Sequence, residues 1–188
     1  MKRISTITIV GFFIIFFLSG CIHLLGPHSI SYQPTTWEKE EFEKADFSVY
    51  PDDTRKEITK YKSTIIAWPG IILERKIIEH SDRTEMVFLL EHHYYDWIED
   101  YSVQREKILL SSRGEGLFKT SLFSKEPLDP ATIKETKEAF AIGGLLIIYG
   151  IPEKIIENEV VVVRCTAKRY IDKQWYTTKS WLDYGRIR

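Results

Sequence analysis

The sequence predicts a mainly β protein: a small, OB-like five-stranded β-barrel with one or two short helices, preceded by a signal peptide and a tether. Three observations predict it. The N-terminus runs from basic to apolar to small residues, the order of an export signal. Five segments of strand character follow, with a helix-forming segment between the third and the fourth, which is the layout of a Greek-key OB barrel. The first of these segments is long and is interrupted by Pro69-Gly70. The first strand of such a barrel serves both of its sides and must bend sharply, and Gly or a bulge is the usual device.

The signal peptide comes first. Met1-Lys2-Arg3 is basic, and Ile7 to Leu18 is apolar apart from Thr8 and Gly11. A bilayer-spanning helix needs roughly 20 residues, so this run is too short to be one. Leu18-Ser19-Gly20-Cys21 follows and resembles the lipobox of bacterial lipoproteins, L-[AS]-[GA]-C, at every position. The resemblance implies cleavage after Gly20, a diacylglycerol on the Cys21 sulfur and an acylated α-amino group. Cys is required because its thiolate is the nucleophile that carries the lipid. Several acyl chains make a lasting anchor, at about 0.8 kcal/mol per buried CH₂. Inner-membrane retention in enteric-type bacteria is linked by the same resemblance to Asp after the Cys. Ile22 stands there, which favours the outer membrane, with the protein on its periplasmic face.

Removing residues 1–20 takes away Lys2 and Arg3 and no acid. That leaves 168 residues with 24 basic and 27 acidic side chains, a formal balance of −3. This length supports one domain with its own core. The charge is not the basic footprint of a nucleic-acid binder. With Cys21 lipidated, Cys165 has no partner for an intramolecular disulfide.

Residues 21–55 hold the lipidated Cys, a Gly- and Pro-containing tether and a short helix over "TWEKEEFEKA", capped by Thr35 or Thr36. The barrel is expected over 56–171. Its strands are Thr64–Glu79, then "EMVFLLEHHYYDW" after a turn at His80-Ser81-Asp82-Arg83, then "REKILLSS" (Arg105–Ser112). "ATIKETKEAFA" follows Pro127-Leu128-Asp129-Pro130 and has Ile133, Lys137 and Phe140 spaced along one helix face. "LLIIYG" and "NEVVVVRCTAKRYI" are the last two strands. Alternation puts Val161, Val163, Cys165 and Ala167 on one face of the final strand, and a buried Cys there acts as a small hydrophobe. Beyond the Pro-Gly break, Ile71, Leu73 and Ile77 are expected to share the core side, with Gly70 at the corner. Residues 172–188 form an aromatic tail in which Trp175, Tyr176, Trp181 and Tyr184 are candidate partner-binding residues.

Residues 61–72, "YKSTIIAWPGII", resemble the pattern Y-x-G-x-x-V-x-W-G-G-x-I of the Slp-type (starvation-inducible) outer-membrane lipoproteins through Tyr61, Ile66, Trp68, Gly70 and Ile72. Leu90, Glu91 and Tyr94 resemble the family's V-L-E-Y-P-L-D segment. Leu128-Asp129-Pro130 resembles G-F-L-D-P, and "LLIIYGIPE" its V-T-V-x-G strand through Gly150. Ser63 and Pro69 replace two family glycines, and Ala131–Ala141 resembles an insertion. The resemblance implies an outer-membrane lipoprotein with an OB-like barrel, linked to envelope stress and carrying no catalytic residues.

The remaining constellations read as structure rather than chemistry. His92 and His93 lie among Glu91, Asp96, Glu99 and Asp100, but adjacent strand residues point to opposite faces. Glu91 and His93 share a face and supply two ligands where a structural zinc needs four. No metal or cofactor is expected. Glu74, Glu91, Glu115 and Asp129 are acids near strand ends with no spacing that selects a glycosidase pair. Ser111-Ser112 is not a G-x-S-x-G elbow, and no His after His93 serves as its base. The expectation is a non-enzymatic envelope protein that binds or supports. Its alternatives are a subunit of an envelope assembly docking through the tail, and a cell-wall hydrolase. Its expected contacts are the membrane, through the Cys21 lipid, and an envelope protein, not nucleic acid.

Overall fold

The computed structural model describes residues 34–100, 105–114, 116–157 and 160–179. Cys21 and the signal peptide lie outside them, as do Trp181 and Tyr184. The chain is mainly β. Helices α1 (Lys39–Lys44), α2 (Pro51–Lys56) and α3 (Ile58–Tyr61) precede β1 (Ile66–Glu79) and β2 (Thr84–His92). Next come β3 (Tyr95–Asp100), β4 (Arg105–Ser111), β5 (Leu117–Phe123) and α4 (Pro130–Ala139). Then follow β6 (Leu145–Ile156), β7 (Val160–Ile171), a 3₁₀ turn (Lys173–Trp175) and β8 (Tyr176–Lys179).

Five strands close a barrel in the order β1-β2-β5-β7-β6, with β6 returning to β1. All neighbours are antiparallel except β5 and β7, which run parallel through Phe118↔Val161 to Thr120↔Val163. That order, with a helix between the third and fourth barrel strands, is the OB arrangement. The expected third strand is corrected. Arg105–Ser111 is strand, but it pairs with β3 and β8 in a separate three-stranded sheet. The third barrel strand is Leu117–Phe123. Its inner face is Phe118, Thr120 and Leu122, all buried. Two apolar residues around a Thr make a weaker signal than "ILL". Thr120 is accommodated because its hydroxyl donates to the Val163 carbonyl at 2.9 Å.

The Pro-Gly pair in β1 answers to packing. Ile66, Trp68 and Ile72 are fully buried and face inward. A Cβ on Gly70 would sit 2.7 Å from the Phe118 ring and 2.8 Å from the Leu90 Cβ. Gly70 is therefore the place where two neighbouring strands' side chains cross the backbone, not a corner. The bend is a bulge at Leu73, where the register with β2 jumps from Ile72↔Leu90 to Glu74↔Leu89. The expected core face of Ile71, Leu73 and Ile77 is corrected accordingly: Ile72 is inside, and Leu73 is 40% exposed. The bulge inverts the alternation, so Ile77 comes to the same face as Ile72 only because Leu73 is the extra residue. Pro69 loses no ladder bond to β6. Its carbonyl accepts from the His93 N–H at 3.1 Å, on the β2 side. A residue's N and O point to the same side of an extended strand, so the missing N–H also faces the end of β2, beyond His92↔Gly70.

Segments outside the barrel strands pack against its core. α4 is capped by Asp129, whose carboxylate accepts from the N–H groups of Ala131 and Thr132. Phe140, at its C-terminus, packs at a tilt 5.5 Å from Phe88 and edge-on 5.3 Å from Tyr170. Arg75 donates to the carbonyls of Lys137 and Phe140, a cation at a helix C-terminus. Elsewhere the residues before the barrel pack onto it. Residues 34–55, grouped with the tether on sequence, supply Val49 to the core, and the Trp68 indole donates to the Val49 carbonyl at 2.7 Å. Glu38 is fully buried. Its carboxylate accepts from Thr35 N–H at 2.8 Å and the Tyr149 hydroxyl at 3.2 Å, and lies 3.6 Å from the Arg169 guanidinium. A buried carboxylate needs this many partners to offset its desolvation.

Gly70→Ala tests the crossing. The Phe118 ring can turn, but the Leu90 Cβ is fixed to its backbone. A loss of about 1–3 kcal/mol is expected, read from the urea midpoint at unchanged slope.

Candidate functional site

A buried polar constellation lies where β2 leaves the barrel. His93 follows β2 directly, and its backbone N–H is held by Pro69. The chain then runs out through β3 and back through β4, pairing Tyr95 with Leu110. This return brings Ser111 to His93, 18 positions apart. The His93 Nδ1 is 2.8 Å from the Ser111 carbonyl oxygen and 3.5 Å from its Oγ. The His93 Nε2 is 3.3 Å from Glu91 Oε2. Acid, imidazole and hydroxyl thus meet, and Ser111 and His93 are both buried.

The bonding pattern decides what this trio does. A serine nucleophile needs a ring nitrogen with a free lone pair to take its proton. Here Nδ1 faces a carbonyl oxygen, so it must carry the hydrogen and donate. The Ser111 hydroxyl donates to the Arg113 carbonyl at 2.9 Å and accepts from the Tyr94 N–H at 3.0 Å. With Ser111 at 0% exposure, neither solvent nor substrate reaches Oγ. The trio is a clamp that joins the barrel to the small sheet. Gly114 lies against it, where a Cβ would overlap the Glu91 side chain. The sequence does not show Ser111 meeting His93, because the β3–β4 pairing makes the contact. Treating "EHHYYDW" and "ILLSS" as one hairpin is the signal that would have found it.

His92 and His93 point to opposite sides. The His92 ring packs edge-on at 6.2 Å from Trp68 and at 5.7 Å from both Tyr50 and Tyr94. Among the described residues, no group of three or more His, Cys, Asp or Glu side chains is placed to hold a metal ion. Cys165 lies on β7, and burial pushes its thiol up to about 11. At neutral pH it is a protonated, weak nucleophile. Glu74, Glu91 and Asp129 are spread over a sheet face and a helix cap, and Asp129 is committed to capping. Glu115 lies outside the described residues.

The aromatic residues separate into two groups. Trp68 and Tyr94 are buried in the core region, and Trp68 packs on Phe118 at 5.4 Å. Of the tail candidates, Tyr176 donates from its hydroxyl to the Gly143 carbonyl at 2.5 Å, and burial raises its phenol above the ordinary value. Tyr176 also opens β8, which runs parallel to β4 through Ile108↔Tyr176. The start of the tail is therefore a strand of the fold. Trp175, on the 3₁₀ turn, stays 36% exposed.

OB barrels often bind through the face of their second and third strands. The outward rows here are Ile78, Glu85 and Phe123; Lys76, Val87 and Ser121; Glu74, Leu89 and Lys119; and Ile71, Glu91 and Leu117. Acids and lysines alternate around a Val87–Leu89 centre. Phe123 is the aromatic of this face among the described residues, and Arg83 covers it at 4.7 Å. The Ser121 hydroxyl and then His80 hold the Glu85 carboxyl below its ordinary range. The face thus mixes acidic, basic and apolar side chains.

No protein-family model matches the chain, and no curated protein matches it.

Ser111→Ala removes the acceptor of a buried N–H, and a loss of about 1–3 kcal/mol is expected in chemical denaturation. Cys165 should resist a thiol reagent at pH 8 in the native protein and react fully in denaturant. Because its thiolate fraction grows about tenfold per pH unit below 11, labelling should accelerate as the pH rises.

Proposed function

We propose that this protein is a lipid-anchored bacterial envelope protein of the Slp type. Its barrel serves a binding or structural role, without catalysis, at the periplasmic face of the outer membrane. The observation that carries this reading is Leu18-Ser19-Gly20-Cys21 behind a basic start and a short apolar run. Ile22 supports the outer membrane over the inner. The family resemblance at residues 61–72 supports a role in envelope maintenance under stress. Three features support a non-enzymatic role: the barrel interior is filled by side chains such as Trp68, Phe88 and Phe118, the Ser111 hydroxyl is committed, and the Cys165 thiol is protonated.

A second reading makes the protein a subunit of an envelope assembly. Trp175 favours it, since this indole is exposed where the tail emerges beside β4 and β8. Because β8 belongs to the fold, the deletion that isolates the tail is 180–188 rather than 172–188. Loss of a cross-linked partner on that deletion supports docking through Trp181 and Tyr184, and an unchanged partner set counts against it.

The deciding experiment is metabolic labelling with radioactive palmitate followed by membrane fractionation. Wild type should carry label and sediment with the outer membrane, whereas Cys21→Ala should lose the label. An unlabelled, soluble wild type would sink the proposal.

A further inference from the structure

Trp37 is 82% exposed, the most exposed of the large apolar side chains in the described residues. Trp is among the most buried residue types on average, so an indole left in water needs a reason. A fraying chain end is not the reason here. Thr35, two residues before it, has its carbonyl bonded by the N–H groups of Glu38 and Lys39 at 3.0 and 3.1 Å. The Thr35 hydroxyl donates to Glu38 at 2.6 Å, and Glu38 is buried against Tyr149 and Arg169. Trp37 therefore stands between two residues pinned to the barrel, on a backbone that the fold holds in place.

Its position along the chain supplies the occupant. It stands sixteen positions after Cys21. At a full extension of about 3.3–3.6 Å per residue, Trp37 cannot lie more than about 58 Å along the chain from Cys21. We propose that Trp37 is a second membrane contact, its indole seated in the headgroup layer of the bilayer that holds the Cys21 lipid. This rests on the lipoprotein reading above. An indole has an apolar body and one N–H donor, the combination that gathers at membrane–water interfaces.

The charges around it say which kind of contact this is. α1 follows at once with Glu40, Glu41 and Glu43 against Lys39 and Lys44, and Lys44 is paired with Glu40 at 2.7 Å. The helix is slightly acidic, so its net charge does not attract an anionic surface. The contact is interfacial and apolar, and it forms on neutral lipid and survives salt. One indole partitions too weakly to hold a domain by itself. The anchor makes its insertion intramolecular, at a high effective concentration. The contact then fixes which side of the barrel faces the membrane.

The test uses the full-length, lipidated protein in phosphatidylcholine vesicles whose acyl chains are brominated near the headgroup. Flotation first shows whether the protein is bound. Bromine quenches only indoles that touch lipid. Quenching of roughly one-fifth of the emission is expected, one indole among five Trp. It should disappear in Trp37→Phe, persist in Trp175→Phe and remain at high salt. A wild type that does not float removes the anchor reading and this inference together. A floating wild type without quenching, or with quenching retained in Trp37→Phe, overturns this inference alone. Full access of Trp37 to aqueous acrylamide in the bound protein overturns it as well, because the indole then faces water or a protein partner.

Discussion

The crossing of Trp68, Gly70 and Phe118 is the constraint on which the other parts depend. Trp68 and Phe118 meet edge to face inside the barrel, and the Phe118 ring passes over the bare backbone of Gly70. That approach lets β1 lie close enough to β2 and β5 to close a small barrel. The same indole donates outward to Val49, which draws the preceding helical segment onto the barrel. One side chain thus joins the wall, the core and the N-terminal cover. An aromatic contact of this kind adds about 0.5–1.5 kcal/mol beyond area burial. Its larger effect is geometric, because it sets where the chain on either side must go.

A barrel closed in this way has strands buried from both sides. Residues Leu145 to Gly150 of β6 are all buried, so something must cover their outer face. Tyr149 meets Glu38 there, and Tyr176 of β8 reaches the loop just before β6. The three-stranded sheet is joined to the barrel at the His93–Ser111 clamp and carries buried Ile108, Leu109 and Leu110. Buried polar networks are costly when partly satisfied and specify one arrangement when complete. The clamp uses a ring nitrogen, a hydroxyl and three backbone groups in mutually satisfied pairs. It resembles a hydrolase trio only in composition; the direction of each hydrogen bond assigns it to architecture.

The interior is occupied, the free thiol is protonated, and the acids that could catalyse are spread out or capping. What the fold presents is a mixed-charge sheet face, a rigidly mounted Trp37 near the start of the domain, and Trp175 where the tail departs. On the lipoprotein reading proposed above, these are the surfaces that an anchored protein would use through contact. A lipid anchor would suit such surfaces physically, because a tether converts weak contacts into intramolecular ones.

How much of this could be read from the residues depended on distance along the chain. The sequence by itself determined the local matters. Alternation marks β7, and Asp129-Pro130 starts α4, because each depends on neighbours a few positions apart. The barrel class followed from strand number and order. Tertiary structure decided the rest. Arg105–Ser111 and Leu117–Phe123 are both strand-like, and only the pairing partners say which belongs to the barrel. Gly70 read as a bend, and only the ring of Phe118, 48 residues away, shows it to be a crossing. Ile77 came to the face of Ile72 because a bulge at Leu73 shifted the register by one, and a one-residue shift exchanges the faces of a strand. Ser111 met His93 through a hairpin whose register no local pattern states. Composition and spacing fix what a segment can form, and long-range pairing fixes which neighbour it forms it with.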